Sequence, residues 1–82
     1  MEIKVYDKNL NFIGIIDDFD TLSVQTSYRS ANRLNLSIAK QKHNSKLIST
    51  DNFFVHKNCP YIVTYFKETL QTIEIQTIDA AS

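Results

Sequence analysis

Glycine, proline, cysteine and methionine occur once each in these 82 residues, and tryptophan does not occur. A single glycine excludes a collagen repeat and the glycine-rich loop that cradles a phosphate. A single cysteine excludes an internal disulfide. Net charge is also missing: nine Lys and Arg face nine Asp and Glu. That balance excludes a globally basic nucleic-acid binder and an acidic disordered tail, and it leaves little repulsion against self-association. The length suits one small domain at most, of marginal stability. Hydrophobic residues at 43% are enough for a core and argue against intrinsic disorder.

Long apolar runs are absent as well. The longest strictly apolar stretch is Phe53-Phe54-Val55, against about 20 residues for a membrane-spanning helix. The opening Met1 to Asp7 lacks the apolar centre of a secretory signal, so synthesis in a cytoplasm and no membrane association are expected. Chemistry-bearing groups are few. Cys59 stands beside Pro60, and the only histidines are His43 and His56. Ser27 or Ser30 with His43 would need a nucleophile elbow or other local signature to form a triad, and none occurs. Asp17, Asp18 and Asp20 lack the glycine and the closing glutamate of a calcium loop. No catalytic residue, cofactor or metal site is expected, and Cys59 reads as a half-buried thiol beside a turn.

What is abundant is β-branched: ten Ile, four Val and seven Thr, the composition of strands. Ile3 and Val5 share one face of a first strand. Asp7 to Asn11 reads as a hairpin loop, and Phe12 to Ile16 as a return strand buried on both faces. Gly14 inside it suggests a bulge or a close backbone approach. Leu22, Val24, Thr26 and Tyr28 alternate with polar residues, and Leu34, Leu36 and Ile38 do so after a turn at Arg29 to Asn32. Gln41 to Ser49 loses the period of two and predicts a short helix capped by Asn44. Phe53 to His56, Tyr61 to Thr69 and Ile73 to Ile78 complete the strands, with a turn at Asn58-Cys59-Pro60. The expected core positions are Leu22, Val24, Leu34, Leu36, Ile38, Ile62, Phe66, Ile73 and Ile75.

The fold class this predicts is mostly β: a small antiparallel split β-barrel of about seven short strands with one short helix. Residues 1–82 form a single such unit. Closing or nearly closing the sheet hides edges that short strands would otherwise expose.

Charge is unevenly placed although it sums to zero. Residues 21–50 carry Arg29, Arg33, Lys40, Lys42 and Lys46 and no acid, while the flanking segments are acidic. Asp17, Asp18 and Asp20 against Arg29, Arg33, Lys40 and Lys42 form a candidate interface between copies. Nucleic acid is a poor match for these cations, because no aromatic platform is interleaved with them.

Several stretches together resemble a known family. Ile3-Lys4-Val5-Tyr6-Asp7 is followed by Leu10, Phe12-Ile13-Gly14-Ile15-Ile16-Asp17 and the Leu22 to Tyr28 strand. Next come Arg33-Leu34-Asn35-Leu36-Ser37-Ile38, a lysine-bearing loop and Phe53-Phe54-Val55. This order resembles the N-terminal domain of baseplate hub, or tail-associated lysin-like, proteins of siphoviruses and prophages. The resemblance implies a split β-barrel within a trimeric hub that closes the tail tube. It also implies a non-enzymatic virion component that is made in a bacterial host's cytoplasm and contacts other tail proteins. Relatives continue into further hub domains, so the chain is expected to be a fragment or an N-terminal module of that architecture. No residue here matches the lytic regions of longer relatives. A second reading is a binding module for oligosaccharide or single-stranded nucleic acid, with Tyr6, Tyr28, Tyr61 and Tyr65 as stacking platforms.

Overall fold

A computed structural model describes residues 2–26 and 31–80. Seven strands follow one another: β1 Ile3–Tyr6, β2 Phe12–Ile16, β3 Thr21–Gln25, β4 Arg33–Ala39, β5 Phe53–His56, β6 Cys59–Glu68 and β7 Thr72–Asp79. They form one antiparallel sheet in the order β2-β1-β5-β6-β7-β4-β3, which curls into a half-barrel. The curl does not close, and β2 and β3 remain as two edges. The β2–β3 and β4–β5 connections are instead laced together: the Lys42 ammonium donates to the Asp18 carbonyl at 2.7 Å, and the Asn44 amide to the Asp18 carboxylate at 3.1 Å.

The concave face holds the core. Ile3, Val5, Ile16, Leu34, Leu36, Ile38, Phe54 and Ile75 are almost fully buried there. The period of two in β1, β4 and β7 puts these side chains on one face, as the sequence predicts. Thr77 joins them because its hydroxyl donates to the Leu34 carbonyl at 2.8 Å, which satisfies a polar group that burial would otherwise penalise. Gly14 meets both of its expectations. Beside it the register shifts, Val5 pairing with Gly14 and Tyr6 with Phe12, so Ile13 is an extra residue. A Cβ at Gly14 would also lie 2.7 Å from a Leu47 methyl.

Five details depart from the sequence reading. The short helix is a single 3₁₀ turn, His43–Leu47, with Lys42 at its N-cap; Asn44 lies within it and bonds Asp18 instead of capping. The turn before β6 is Lys57-Asn58, both in the left-handed region (φ 52° and 62°), as a two-residue hairpin requires. Pro60 therefore stands inside β6, opposite Val55, next to the hydrogen-bonded His56–Cys59 end pair; its missing N–H is not needed at that position. Strand β2 is an edge, with Phe12 and Ile13 exposed, and is not buried on both faces. Finally, a register shift between Val63 and Tyr65 makes Thr64 an extra residue.

That last irregularity decides which residues of β6 enter the core. Before Thr64 the odd positions face inward, so Tyr61 is buried and Ile62 faces out, 39% exposed. After it the even positions turn inward, and Phe66 pairs with core Ile75 while remaining partly uncovered. A period-two reading carried across the shift put Ile62 and Phe66 on one face, and a bulge reverses such phase. Val24 points toward the core side opposite Leu34, yet it is 39% exposed because β3 is the sheet's end. The expected strand through Ser27 and Tyr28 and the turn at Arg29 and Ser30 lie outside the described residues.

Candidate interaction surface

The register of the sheet sets a row of side chains across its convex face. Phe12 pairs with Tyr6, Tyr6 with Phe53, Phe53 with Ile62, and Ile62 with Ile78. Tyr6, Phe53, Ile62 and Ile78 lie opposite the core positions, because their strand neighbours Val5, Phe54, Tyr61 and Thr77 are buried, and Phe12 shares the face of its partner Tyr6. The Tyr6 and Phe12 rings meet edge to face, with centroids 5.6 Å apart. Phe12 is 54% exposed. Ile62 is exposed too, while Tyr6, Phe53 and Ile78 between and beside them are half-buried.

Below this row the convex face hollows into a mostly apolar groove of about 500 Å³, lined by Tyr6, Leu10, Phe53, Val55, Asn58, Pro60 and Ala80. Leu10 forms its wall from the β1–β2 loop. There the Asp7 carboxylate accepts the Asn9 and Asn11 backbone N–H groups, each at 2.9 Å. The loop holds Leu10 at φ 66° and leaves it 68% exposed. A left-handed conformation is costly for a leucine, and water-exposed leucine gains nothing there.

A second apolar feature stands at the tip of the β6–β7 hairpin. Leu70 is 96% exposed. The turn beneath it is well bonded: the Thr69 hydroxyl accepts the Thr72 N–H at 3.0 Å, and the Thr69 N–H donates to the Thr72 carbonyl at 2.9 Å. The Gln71 carbonyl accepts the Lys40 N–H at 2.8 Å, which ties the tip to the end of β4.

The charged residues expected to form an interface are partly committed within the chain. Lys42 pairs with Asp20 at 2.7 Å, and this contact holds the Asp20 carboxyl below the usual carboxylate range. Lys40 pairs with Glu68. Asp17 and Arg33 are exposed, Asp18 accepts from Asn44, and Arg29 lies outside the described residues. The chain's basic and acidic segments thus meet first in cis.

The concave side has its own polar cluster. His56 is buried and faces Cys59 across the β5–β6 hairpin, with Tyr61 buried next to it. Burial pushes the His56 pKa down, with Lys57 adding to it. Burial, and then Asp79, push the Cys59 thiol up, and burial raises Tyr61. A nucleophilic or metal-binding cysteine needs the opposite shift, so this grouping is neutral at pH 7. Among the described residues no group of three His, Cys, Asp or Glu could hold a metal ion. Of the tyrosines considered as stacking platforms, Tyr61 is buried, Tyr6 is half-buried against Phe12, Tyr65 is exposed, and Tyr28 is outside the described residues.

Sequence reasoning passed over the convex row, the groove and Leu70. The signals were present: β2 carries apolar groups at both phases, and Leu70 is a lone leucine in a hairpin turn where polar residues are the rule. No protein-family model matches the chain, and neither does any curated protein sequence. Among solved structures, the chain is similar to prophage tail protein gp18 from Listeria monocytogenes EGD-e, with a TM-score of 0.77 at 13% sequence identity. The match takes in 96% of this chain and 24% of that one. At that identity the likeness is one of fold, and the chain spans about a quarter of that protein's length.

Proposed function

We propose that this chain is a structural, non-enzymatic module of a phage or prophage tail. The observation that carries the reading is the fold shared with a prophage tail protein over 96% of the chain. The finer part of the proposal is a place in the baseplate hub at the tail tip, where copies of the module assemble, as a trimer, and meet other tail proteins. Its site of synthesis is the bacterial cytoplasm, and its destination the virion. The convex row, with Phe12 and Ile62 exposed and Tyr6, Phe53 and Ile78 half-buried, and the open sheet edges supply apolar and backbone contacts for assembly. Of the described charges set aside for contact between copies, Asp17 and Arg33 are exposed, whereas Lys42 and Lys40 already hold partners. Each exposed pair contributes only about 0–1 kcal/mol, so charge sets register and apolar burial sets affinity.

Mass spectrometry of purified tail particles from a lysogen carrying this gene tests the reading. The chain is expected in stoichiometric amount and at the tip in labelled micrographs. Its absence from intact tails would overturn the proposal. The alternative of glycan or single-strand binding is not favoured, since Tyr61 is buried and Tyr6 is half-buried against Phe12.

A further inference from the structure

We infer that the hollow at the β5–β6 hairpin end of the concave face binds a small apolar ligand by its carboxylate, held between His56 and Lys57. The hollow measures about 370 Å³. Val24 in β3 and Thr26 just after it wall one side, with Asn32 before β4 beside them. His56, Cys59 and Tyr61 wall the other. Small-molecule pockets are of this size, and they combine apolar walls with a few converging polar groups. Val24 points toward the core side yet is 39% exposed, so part of the wall is apolar surface open to a ligand. The site lies away from the convex contacts of the assembly reading and stands whether or not the chain is a tail module.

His56 is the residue that points to a ligand. It is only 5% exposed, and among the described residues nothing hydrogen-bonds its ring. Buried polar groups are nearly always bonded, so an unbonded one calls for a partner from outside the chain. Among the described residues every wholly buried side-chain nitrogen and oxygen is satisfied. The His56 nitrogens are therefore the part of the ring that reaches the hollow. The chemistry around them selects the ligand. Lys57 brings an ammonium to the rim and Thr26 a hydroxyl, and among the described residues no carboxylate lines the hollow. The Cys59 thiol is already engaged, with the Tyr61 hydroxyl on one side and Asp79 behind it. An imidazole N–H, an ammonium and a hydroxyl without an opposing carboxylate fit a carboxylate ligand. On the outer side of Lys57, Glu2 and Lys4 offset one another, so Lys57 sets the net charge at the rim. The ligand's carboxylate stays at the mouth, where Lys57 is exposed, and its apolar part lies inward against Val24 and Tyr61.

Titration of the isotope-labelled 82-residue chain with benzoate, followed by amide and histidine-ring NMR shifts, tests this. Saturable shifts are expected at Val24, Asn32, His56 and Tyr61, with a Kd on the order of 1 mM, as suits so small a ligand. Bound benzoate should also raise the pH at which the His56 ring titrates, because a neighbouring anion favours the imidazolium. Benzamide has the same shape without the charge and should bind roughly tenfold more weakly. Lys57→Asn removes the rim charge at a position where φ is 52°, which asparagine tolerates, so the variant should keep the wild-type far-UV spectrum. It should weaken benzoate binding roughly fivefold, and more at low salt than at high. His56→Phe keeps a ring of similar size without its nitrogens and should weaken binding further; where that variant does not fold, Lys57→Asn and the His56 ring shift decide. Four results would each overturn the site: no saturable shift at these residues, benzamide that binds as tightly as benzoate, a His56 titration unmoved by saturating benzoate, or Lys57→Asn that binds like wild type.

Discussion

The convex face of the sheet is two surfaces. Over β2, β1, β5 and the start of β6 it carries Phe12, Tyr6, Phe53 and Ile62, with Val55 and Pro60 in the groove. Over β3 and β4 it carries Thr21, Ser23 and Gln25 opposite Ser37, Asn35 and Arg33, with a Thr21–Ser37 hydroxyl contact of 2.6 Å. The concave face beneath both is one core, so burial does not account for the difference. A sheet that faces water on one side alternates apolar and polar residues. The β3–β4 half obeys that rule, and the β1–β5 half breaks it. One half of the convex face is thus finished for water and the other is left apolar over the same core.

The comparison assumes a single core under both halves, and Leu36→Asp tests that assumption most severely. Leu36 is 2% exposed, and a buried unpaired carboxylate costs several kcal/mol against roughly 4–12 kcal/mol for a chain of this size. Both halves should unfold together in a urea titration followed by far-UV spectroscopy. Two separate transitions would mean that the halves are independent.

Gly14→Ala strikes the apolar half alone. The new methyl group would stand 2.7 Å from Leu47, whose side chain must shift out of its packing on β2. Overpacking of this kind costs about 1–3 kcal/mol. A double-mutant cycle with Leu47→Ala should show coupling between the two sites, and strict additivity would locate the cost elsewhere.

Acid should weaken the same side of the molecule. His56 has its folded pKa below the ordinary value because burial disfavours the charged form. The unfolded chain therefore binds the proton more readily. The stability held by neutral His56 is present above about pH 6.5 and is lost as pH falls below it. His56→Gln should flatten the stability profile over that window, as read from urea midpoints at stepped pH. Asp7 and Asp20, whose pKa values are lowered by the Asn11 N–H and by Lys42, add their losses only in the more acidic range.

Phe12→Thr sharpens the contrast between the faces with little change in folding. Phe12 is exposed and touches Tyr6, and an aromatic pair contributes about 0.5–1.5 kcal/mol. Binding of an apolar dye should fall more in this variant than in Val24→Thr. Equal losses would mean that the convex row is no more available than the β3 edge. The smallest effect belongs to Lys42→Met. The Lys42–Asp20 contact is exposed, so the midpoint should move little at physiological salt and somewhat more at low salt. A large, salt-independent loss would point to the Lys42 bond to the Asp18 carbonyl as the one that matters.

Legibility of the fold follows the regularity of the backbone. Leu34, Leu36, Ile38, Ile73 and Ile75 are core residues in sequence and structure alike, because β4 and β7 pair without interruption. Ile62 was misassigned because one extra residue at Thr64 reverses the phase, and no residue type announces a bulge there. The turn at Lys57-Asn58 was displaced by one residue because Pro60 reads as a breaker, whereas a strand tolerates proline where no ladder N–H is needed.

The sequence by itself determined that this is a β protein with about seven strands, that no disulfide crosslinks it, and which faces of β1, β4 and β7 are buried. Period and composition are local properties, and these conclusions need nothing more. Tertiary structure decided the rest. Strand order makes β2 an edge and leaves Phe12 and Ile13 uncovered. Register aligns Phe12, Tyr6, Phe53, Ile62 and Ile78 into one row from five separate strands. Folding also pairs Lys42 with Asp20, 22 positions apart, within one chain. Each of these depends on which distant strands become neighbours, and that is set by the shared burial of the whole sheet and not by any single segment.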